Sequence, residues 1–174
     1  YIKQGTSLIW CPRSNLRLYG KTADISLLKG AMPLMLGTDS EITSQADFFG
    51  ELRAAREMDV LTDLELLNLA TKTPAEIFRW KKVGILAEGY RADMIVARMN
   101  DHDPWNAVFN LEPGFIELIL IDGHPVVLSE TVAKQLNLPL QGFSRLSVRG
   151  HLLYVKGPLA YLLRKWRDQN WLKE

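Results

Sequence analysis

Two short apolar runs, each stopped by a small or polar loop, constrain this chain more than any other feature. Ser7-Leu8-Ile9-Trp10-Cys11 leads into Pro12-Arg13-Ser14-Asn15, and Pro33-Leu34-Met35-Leu36 leads into Gly37-Thr38-Asp39-Ser40. Short apolar runs bounded by Pro, Gly and small polar residues are predicted as buried strands. The segment between them, Thr22 to Lys29 with Gly30 behind it, is predicted as a helix with a left-handed stop. A strand, a helix and a second strand suit a parallel α/β arrangement, in which ligand-binding groups collect at the C-terminal ends of the strands. The two polar loops are therefore the first place to look for chemistry.

Three further helices are predicted after the second strand. Ser44 stands three residues before Asp47, with Phe48, Leu52 and Ala55 following at helical spacing. Thr62 and Glu65 form a second capping pair ahead of Leu67 and Ala70. In Thr73-Pro74-Ala75-Glu76 a hydroxyl is followed by Pro at the predicted first helical position and Glu at the third. After Trp80 the texture becomes that of a small β-rich unit. Ala92–Ala97 and Ile116–Ile121 are predicted strands, and Asp122-Gly123 between apolar runs predicts a tight hairpin. Ser129–Leu136 is predicted helical, Leu146–Lys156 a strand pair turning at Arg149-Gly150, and Leu159–Gln169 an amphipathic helix burying Leu162, Leu163 and Trp166. This places residues 1–82 in an α/β part and 83–174 in the β-rich part.

Composition narrows the function classes. A formal net charge of +1 gives no global field for nucleic acid or an anionic membrane, and no apolar run has the roughly 18 to 20 residues that span a bilayer. The basic residues after Leu163 are interspersed with Asp168 and Glu174 and predict a solvated helix, with Trp166 and Trp171 as packing anchors, possible at a subunit interface in a homo-oligomer. Cys11 is the single cysteine, which excludes an internal disulfide and fits a cytoplasmic location. Tyr1–Thr6 looks like chain interior, the end of a helix with its Gly5 stop, so further sequence is expected upstream.

Asp39 directly follows an apolar strand. Gly37 lets the backbone approach closely there, while Thr38 and Ser40 can hydrogen-bond a carboxylate and orient it. Spacing alone leaves two readings open, a cap for the next turn or a functional carboxylate, and leans to the cap.

The order of motifs resembles the amidohydrolase superfamily, in its cytosine-deaminase-like, chlorohydrolase and nucleobase-deaminase branch. The resemblance rests on Leu36-Gly37-Thr38-Asp39-Ser40, on Cys11-Pro12-x-Ser14-Asn15 about 25 residues before it, and on Leu61-Thr62-x-x-Glu65-Leu66-Leu67-x-x-Ala70-Thr71-x-x-Pro74-Ala75. Gly84-x-Leu86-x-x-Gly89-x-x-Ala92-Asp93-Met94-Ile95-Val96 and Ile121-Asp122-Gly123-His124-Pro125-Val126 complete it. It implies the last two strand–helix units of a metal-dependent hydrolase (β/α)8 TIM barrel, followed by a small β-rich, sandwich-like domain. It further implies hydrolysis of a non-peptide C–N bond, as in a deaminase of a nucleobase-like or heteroaromatic amine; the alternatives are a cyclic-amide or chloro-hydrolase. Asp39 is then the carboxylate ligand of one divalent metal, zinc or iron, and the base for the attacking water. Ser14, Asn15, Arg13 and Ser40 are then candidates to contact a small-molecule substrate.

One departure matters. The family's His-x-His motif and its two later histidines have no counterpart, because His102, His124 and His151 all fall in the β-rich region. A catalytic zinc takes about three protein ligands, and one carboxylate cannot hold it. These 174 residues alone are therefore expected to be inactive, either needing upstream sequence or being a non-catalytic barrel remnant with a structural or interaction role.

Overall fold

The computed structural model describes residues 5–40, 47–159 and 161–163. It divides into two compact units: Tyr1–Tyr90 with Asp101–Asn110, and Arg91–Asn100 with Leu111–Glu174. This division differs from a boundary at 82/83, since residues 101–110 return to the first unit.

The first unit begins with the two predicted strands, β1 (Leu8–Trp10) and β2 (Leu34–Leu36). They pair in parallel, Leu8 with Leu34, Ile9 with Met35 and Trp10 with Leu36. All three β2 residues are buried, as expected for a parallel strand covered on both faces. Between the strands lie two helices, α1 (Pro12–Tyr19) and α2 (Ile25–Leu28). After β2 come α3 (Phe48–Glu57), α4 (Asp63–Ala70) and α5 (Lys72–Ile77), and residues 101–110 add α6 (Pro104–Phe109). Trp10, Ile25, Leu34, Leu36, Leu52, Ala55, Leu66, Leu69 and Phe109 form one buried cluster. Arg56 ties α6 to this cluster, with its guanidinium over the Phe109 ring and hydrogen bonds to Asp63 and Asn106.

Several elements differ from the sequence expectation. The loop expected at Pro12–Asn15 is the first turn of α1. Pro12 occupies the first helical position, where a missing N–H costs nothing, and Gly20 ends the helix in the left-handed region. The helix expected over Thr22–Lys29 is one turn, capped by Asp24, whose carboxylate accepts from the Leu27 amide. The cap of α3 is Asp47, accepting from the Gly50 amide; Ser44, expected in that role, lies outside the described residues. Thr62 and Glu65 form the expected reciprocal capping box at α4. The cap at Thr73 is not formed. α5 starts at Lys72, so Pro74 sits third, still within the first turn, where its lacking N–H has no helical partner to lose.

The second unit is a five-stranded antiparallel sheet in the order β3-β4-β5-β7-β6, built from β3 (Met94–Ala97), β4 (Ile116–Ile121), β5 (His124–Ser129), β6 (Phe143–Val148) and β7 (His151–Lys156). Both predicted turns are present. Asp122 and Gly123 have φ of 52° and 75°, and Arg149 and Gly150 have 49° and 84°, the paired positive values of a tight hairpin. Helix α7 (Glu130–Gln135) packs on β5 and β7, with Ser129 as its cap. The terminal helix was expected to bury Leu162 and Leu163, yet they are 50% and 45% exposed; Trp166 and Trp171 lie outside the described residues.

Candidate functional site

The site is assembled where β1 and β2 end. Parallel pairing puts Trp10 beside Leu36, so the residues that follow each strand emerge at the same end. The Gly37 amide donates to the Trp10 carbonyl at 2.9 Å and extends the ladder by one step. An added Cβ at Gly37 would sit 2.5 Å from Ile9 Cγ2, which is the close approach the glycine permits. Asp39 follows two residues later and is exposed.

Ser14 reaches Asp39 from α1. Its Oγ donates to Asp39 Oδ2 at 2.9 Å, and the Ser14 residue is 0% exposed. Because Pro12 starts the helix directly after β1, Ser14 falls in the first turn, on the side that faces the end of β2. Two of the predicted site residues are thus brought together.

The other three are placed differently. The Asn15 carbonyl accepts from Thr22 Oγ1, and Thr22 Oγ1 in turn accepts from the Trp10 indole at 2.7 Å. Asn15, Trp10 and Thr22 line a shallow depression of about 340 Å³, together with Tyr19 and Lys21. The Arg13 guanidinium rests over α3, so close to Gly50 that a Cβ there would lie 2.3 Å from Nη1. Ser40 is exposed and directly follows Asp39.

One residue of this region was missed from sequence. Glu51 of α3 is 0% exposed, and its Oε2 accepts from the Arg13 amide at 2.9 Å. It caps the start of α1 from a different helix, an arrangement favoured by the positive end of the helix dipole. A signal was available: Glu51 lies three residues after Phe48 and four before Ala55, inside the apolar stripe of α3 rather than on its outer face. Cys11, the cap residue of α1, also belongs here. Burial, then the negative charges of Glu51 and Asp39, push its thiol pKa above the ordinary value.

Among the described residues no three His, Cys, Asp or Glu side chains converge to hold a metal ion. The residues present therefore do not make a catalytic metal centre by themselves, and Asp39 supplies a single carboxylate at the strand end.

The Amidohydrolase family model matches residues 2–126. The chain belongs to the Amidohydrolase family. Among curated Amidohydrolase relatives, a 5-methylthioadenosine/S-adenosylhomocysteine deaminase of Desulfitobacterium hafniense is 30% identical over 128 residues, covering 64% of this chain and 30% of the relative. A 5'-deoxyadenosine deaminase of Methanopyrus kandleri is 26% identical over 149 residues, covering 76% of this chain and 35% of the relative. Among solved structures, a variant of triazine hydrolase is similar with a TM-score of 0.55 and 26% identity, over 69% of this chain and 30% of that one. The zinc complex of atrazine chlorohydrolase from Arthrobacter aurescens shares the fold at a TM-score of 0.55 and 24% identity, over 69% and 30%. The chain spans about 30% of the length of the first of these curated relatives.

Proposed function

We propose that this chain is the C-terminal part of an Amidohydrolase-family enzyme that removes the amino group from an adenosine-like substrate, with Asp39 as its proton-transferring carboxylate. The observation that carries the reading is the placement of Asp39 at the end of a buried parallel strand, held by a hydrogen bond from the buried Ser14. The names of the curated relatives, deaminases of 5-methylthioadenosine, S-adenosylhomocysteine and 5'-deoxyadenosine, support the substrate class. In this reading β1 and β2 are the last two strands of a (β/α)8 barrel, and the five-stranded sheet belongs to the small β-rich domain.

The reaction asks one thing of Asp39. Water adds to the ring carbon that bears the amino group, and its proton passes to the carboxylate. The carboxylate returns that proton to the amino nitrogen, the C–N bond breaks and ammonia leaves; the remaining hydroxyl proton ends on the adjacent ring nitrogen, so that a carbonyl remains. The family resemblance brings one divalent metal, zinc or iron, to such a site. Its histidine ligands are not among the residues that meet Asp39, so this chain's share of the metal site is the carboxylate.

The second reading is the chloro-hydrolase alternative that the family resemblance implies; the likeness to a triazine hydrolase supports a heteroaromatic ring as its substrate. The two are separated by assaying the longest polypeptide encoded with this chain, supplied with zinc or iron. Ammonia release from 5-methylthioadenosine with none of the chloride release from a chlorotriazine supports the first reading. Asp39→Asn should lower that rate by about 10²-fold or more because its proton transfer is lost, while the protein stays folded, since the amide oxygen still accepts from Ser14 Oγ. An unaltered rate in Asp39→Asn would remove Asp39 from the chemistry.

A further inference from the structure

We propose that Glu51 is a positioning residue for Asp39. Its buried carboxylate fixes the first turn of α1, and Ser14 on that turn fixes the Asp39 carboxylate. The inference rests on the reading of Asp39 as the proton-transferring group, and it adds a residue on a different helix to that site.

Two polar residues are fully buried among the described residues, Ser14 and Glu51, and both belong to this connection. Glu51 Oε2 accepts from the Arg13 amide at 2.9 Å; the next residue, Ser14, donates to Asp39 Oδ2 at 2.9 Å. A displacement of the first turn of α1 therefore moves the Ser14 hydroxyl directly. The side chain of Arg13 reinforces the seating, since Gly50 leaves room for its guanidinium against α3. Thus residues 50 and 51 of α3 receive the side chain and the amide of one α1 residue.

Packing alone does not account for a carboxylate at position 51. Burying a charge is costly, and an apolar side chain of similar size in such a place is often neutral or stabilising for a fold. What the carboxylate adds is a directional acceptor for an amide at the helix start, which an apolar side chain cannot supply. Reactions that depend on a held group are sensitive to displacements of an ångström or less. That sensitivity gives the buried acceptor a functional consequence beyond stability.

The test compares Glu51→Gln, which keeps an acceptor, with Glu51→Met, which keeps the length and removes it. Ser14→Ala and the double variant Glu51→Met/Ser14→Ala complete a cycle. All are made in the longest polypeptide encoded with this chain and assayed for ammonia release from 5-methylthioadenosine. Glu51→Met should lower kcat by about tenfold with KM changed by less than about twofold, and Glu51→Gln should stay within about threefold of the parent. The double variant should be no slower than Ser14→Ala, because Glu51 acts through Ser14. Additive losses in the double variant, or a folded Glu51→Met with full kcat, would overturn the proposal. If Glu51→Met does not fold, Glu51→Asp replaces it, since it keeps the charge and withdraws the acceptor by one methylene; the same loss is expected.

A second readout needs no substrate. The NMR shifts of the Arg13 and Ser14 amides and of the Asp39 carboxyl carbon should move together in Glu51→Met and return in Glu51→Gln. An Asp39 signal that stays in place while the two amides move would overturn the proposal even in an active enzyme. If the parent polypeptide releases no ammonia, the functional reading fails on that assay, and the NMR shifts still decide whether Glu51 positions Asp39.

Discussion

Ser14 Oγ donates to Asp39 Oδ2 at 2.9 Å, joining the first turn of α1 to the loop after β2 across 25 positions of sequence. The two residues follow neighbouring parallel strands, so the bond ties together the ends of both. Replacing Ser14 by alanine removes this donor from a carboxylate and leaves a small buried gap. The fold should lose about 1.5 to 3 kcal/mol, the range for a hydrogen bond to a charged group, measured as a shift in the urea midpoint. The rate of ammonia release should fall by about tenfold, because the loss falls on a group that must be held during the reaction. An unchanged rate with the expected loss of stability would mean that Asp39 is held by other contacts.

Cys11 offers a chemical probe of the same region. Burial and the charges of Glu51 and Asp39 disfavour its thiolate, so its pKa is raised. At mildly alkaline pH it should react with iodoacetamide more slowly than an exposed thiol, since only the thiolate is the nucleophile. Removing one of the two negative charges favours the thiolate. Glu51→Gln should therefore shift the pH–rate profile of alkylation to lower pH, and Asp39→Asn should shift it the same way. A profile that does not move in either variant would place Cys11 outside the reach of both carboxylates.

The fold was readable where local chemistry decided it. The strands at Leu8–Trp10 and Leu34–Leu36, the Thr62–Glu65 capping box and both hairpin turns depend on neighbours in sequence, and the sequence carries them. What it hid depends on distant partners. Pro12–Asn15 looked like a loop because nothing nearby satisfies the amides of a helix start, and the acceptor for the Arg13 amide is Glu51, 38 positions away. Asp39 and Ser14 were both singled out from sequence, but their hydrogen bond follows from the parallel register of β1 and β2. Asn15 was grouped with them by adjacency. In the helix its side chain points a further 100° or so around the axis from that of Ser14, and it meets Thr22 instead.

Glu65 links local capping to a longer contact. Its carboxylate pKa is lowered to about 2, through a hydrogen bond from Lys29, then hydrogen bonds from the Thr62 amide and hydroxyl. The Lys29 ammonium lies 2.7 Å from Oε1, so α4 is tied to the segment just before β2. A carboxyl whose folded pKa lies below its ordinary 4.5 adds stability that is complete above pH 4.5 and lost as pH falls toward 2. Glu65→Gln should therefore melt below the parent at pH 7 and match it near pH 2. Salt should narrow the gap at pH 7, because the pair with Lys29 is substantially exposed and screened. Thr62→Ala should cost about 1 kcal/mol through the lost cap, with a weaker dependence on salt. A gap between Glu65→Gln and the parent that persists at pH 2 would show that the loss comes from packing rather than charge.

Gly37 and Ile9 should be energetically coupled. A methyl at position 37 would meet Ile9 Cγ2 at 2.5 Å, while the next atom, Cys11 Sγ, is at an ordinary 3.5 Å. The conflict in Gly37→Ala is thus with one methyl group on the adjacent strand. Ile9 is 55% exposed and has room to turn, but a β-branched side chain has few comfortable rotamers. The single variant should lose about 1 to 2 kcal/mol by urea unfolding, the lower range for overpacking. Ile9→Ala deletes the offending methyl, so the double variant should recover most of that loss, giving a coupling well outside the error of additive sites. Should no recovery appear, the glycine would instead be required by the backbone at the end of β2. The same double variant bears on the site. If the strain at position 37 is what displaces Asp39 two residues later, ammonia release lost in Gly37→Ala should return together with stability; stability that returns without the rate would separate the two roles of this strand end.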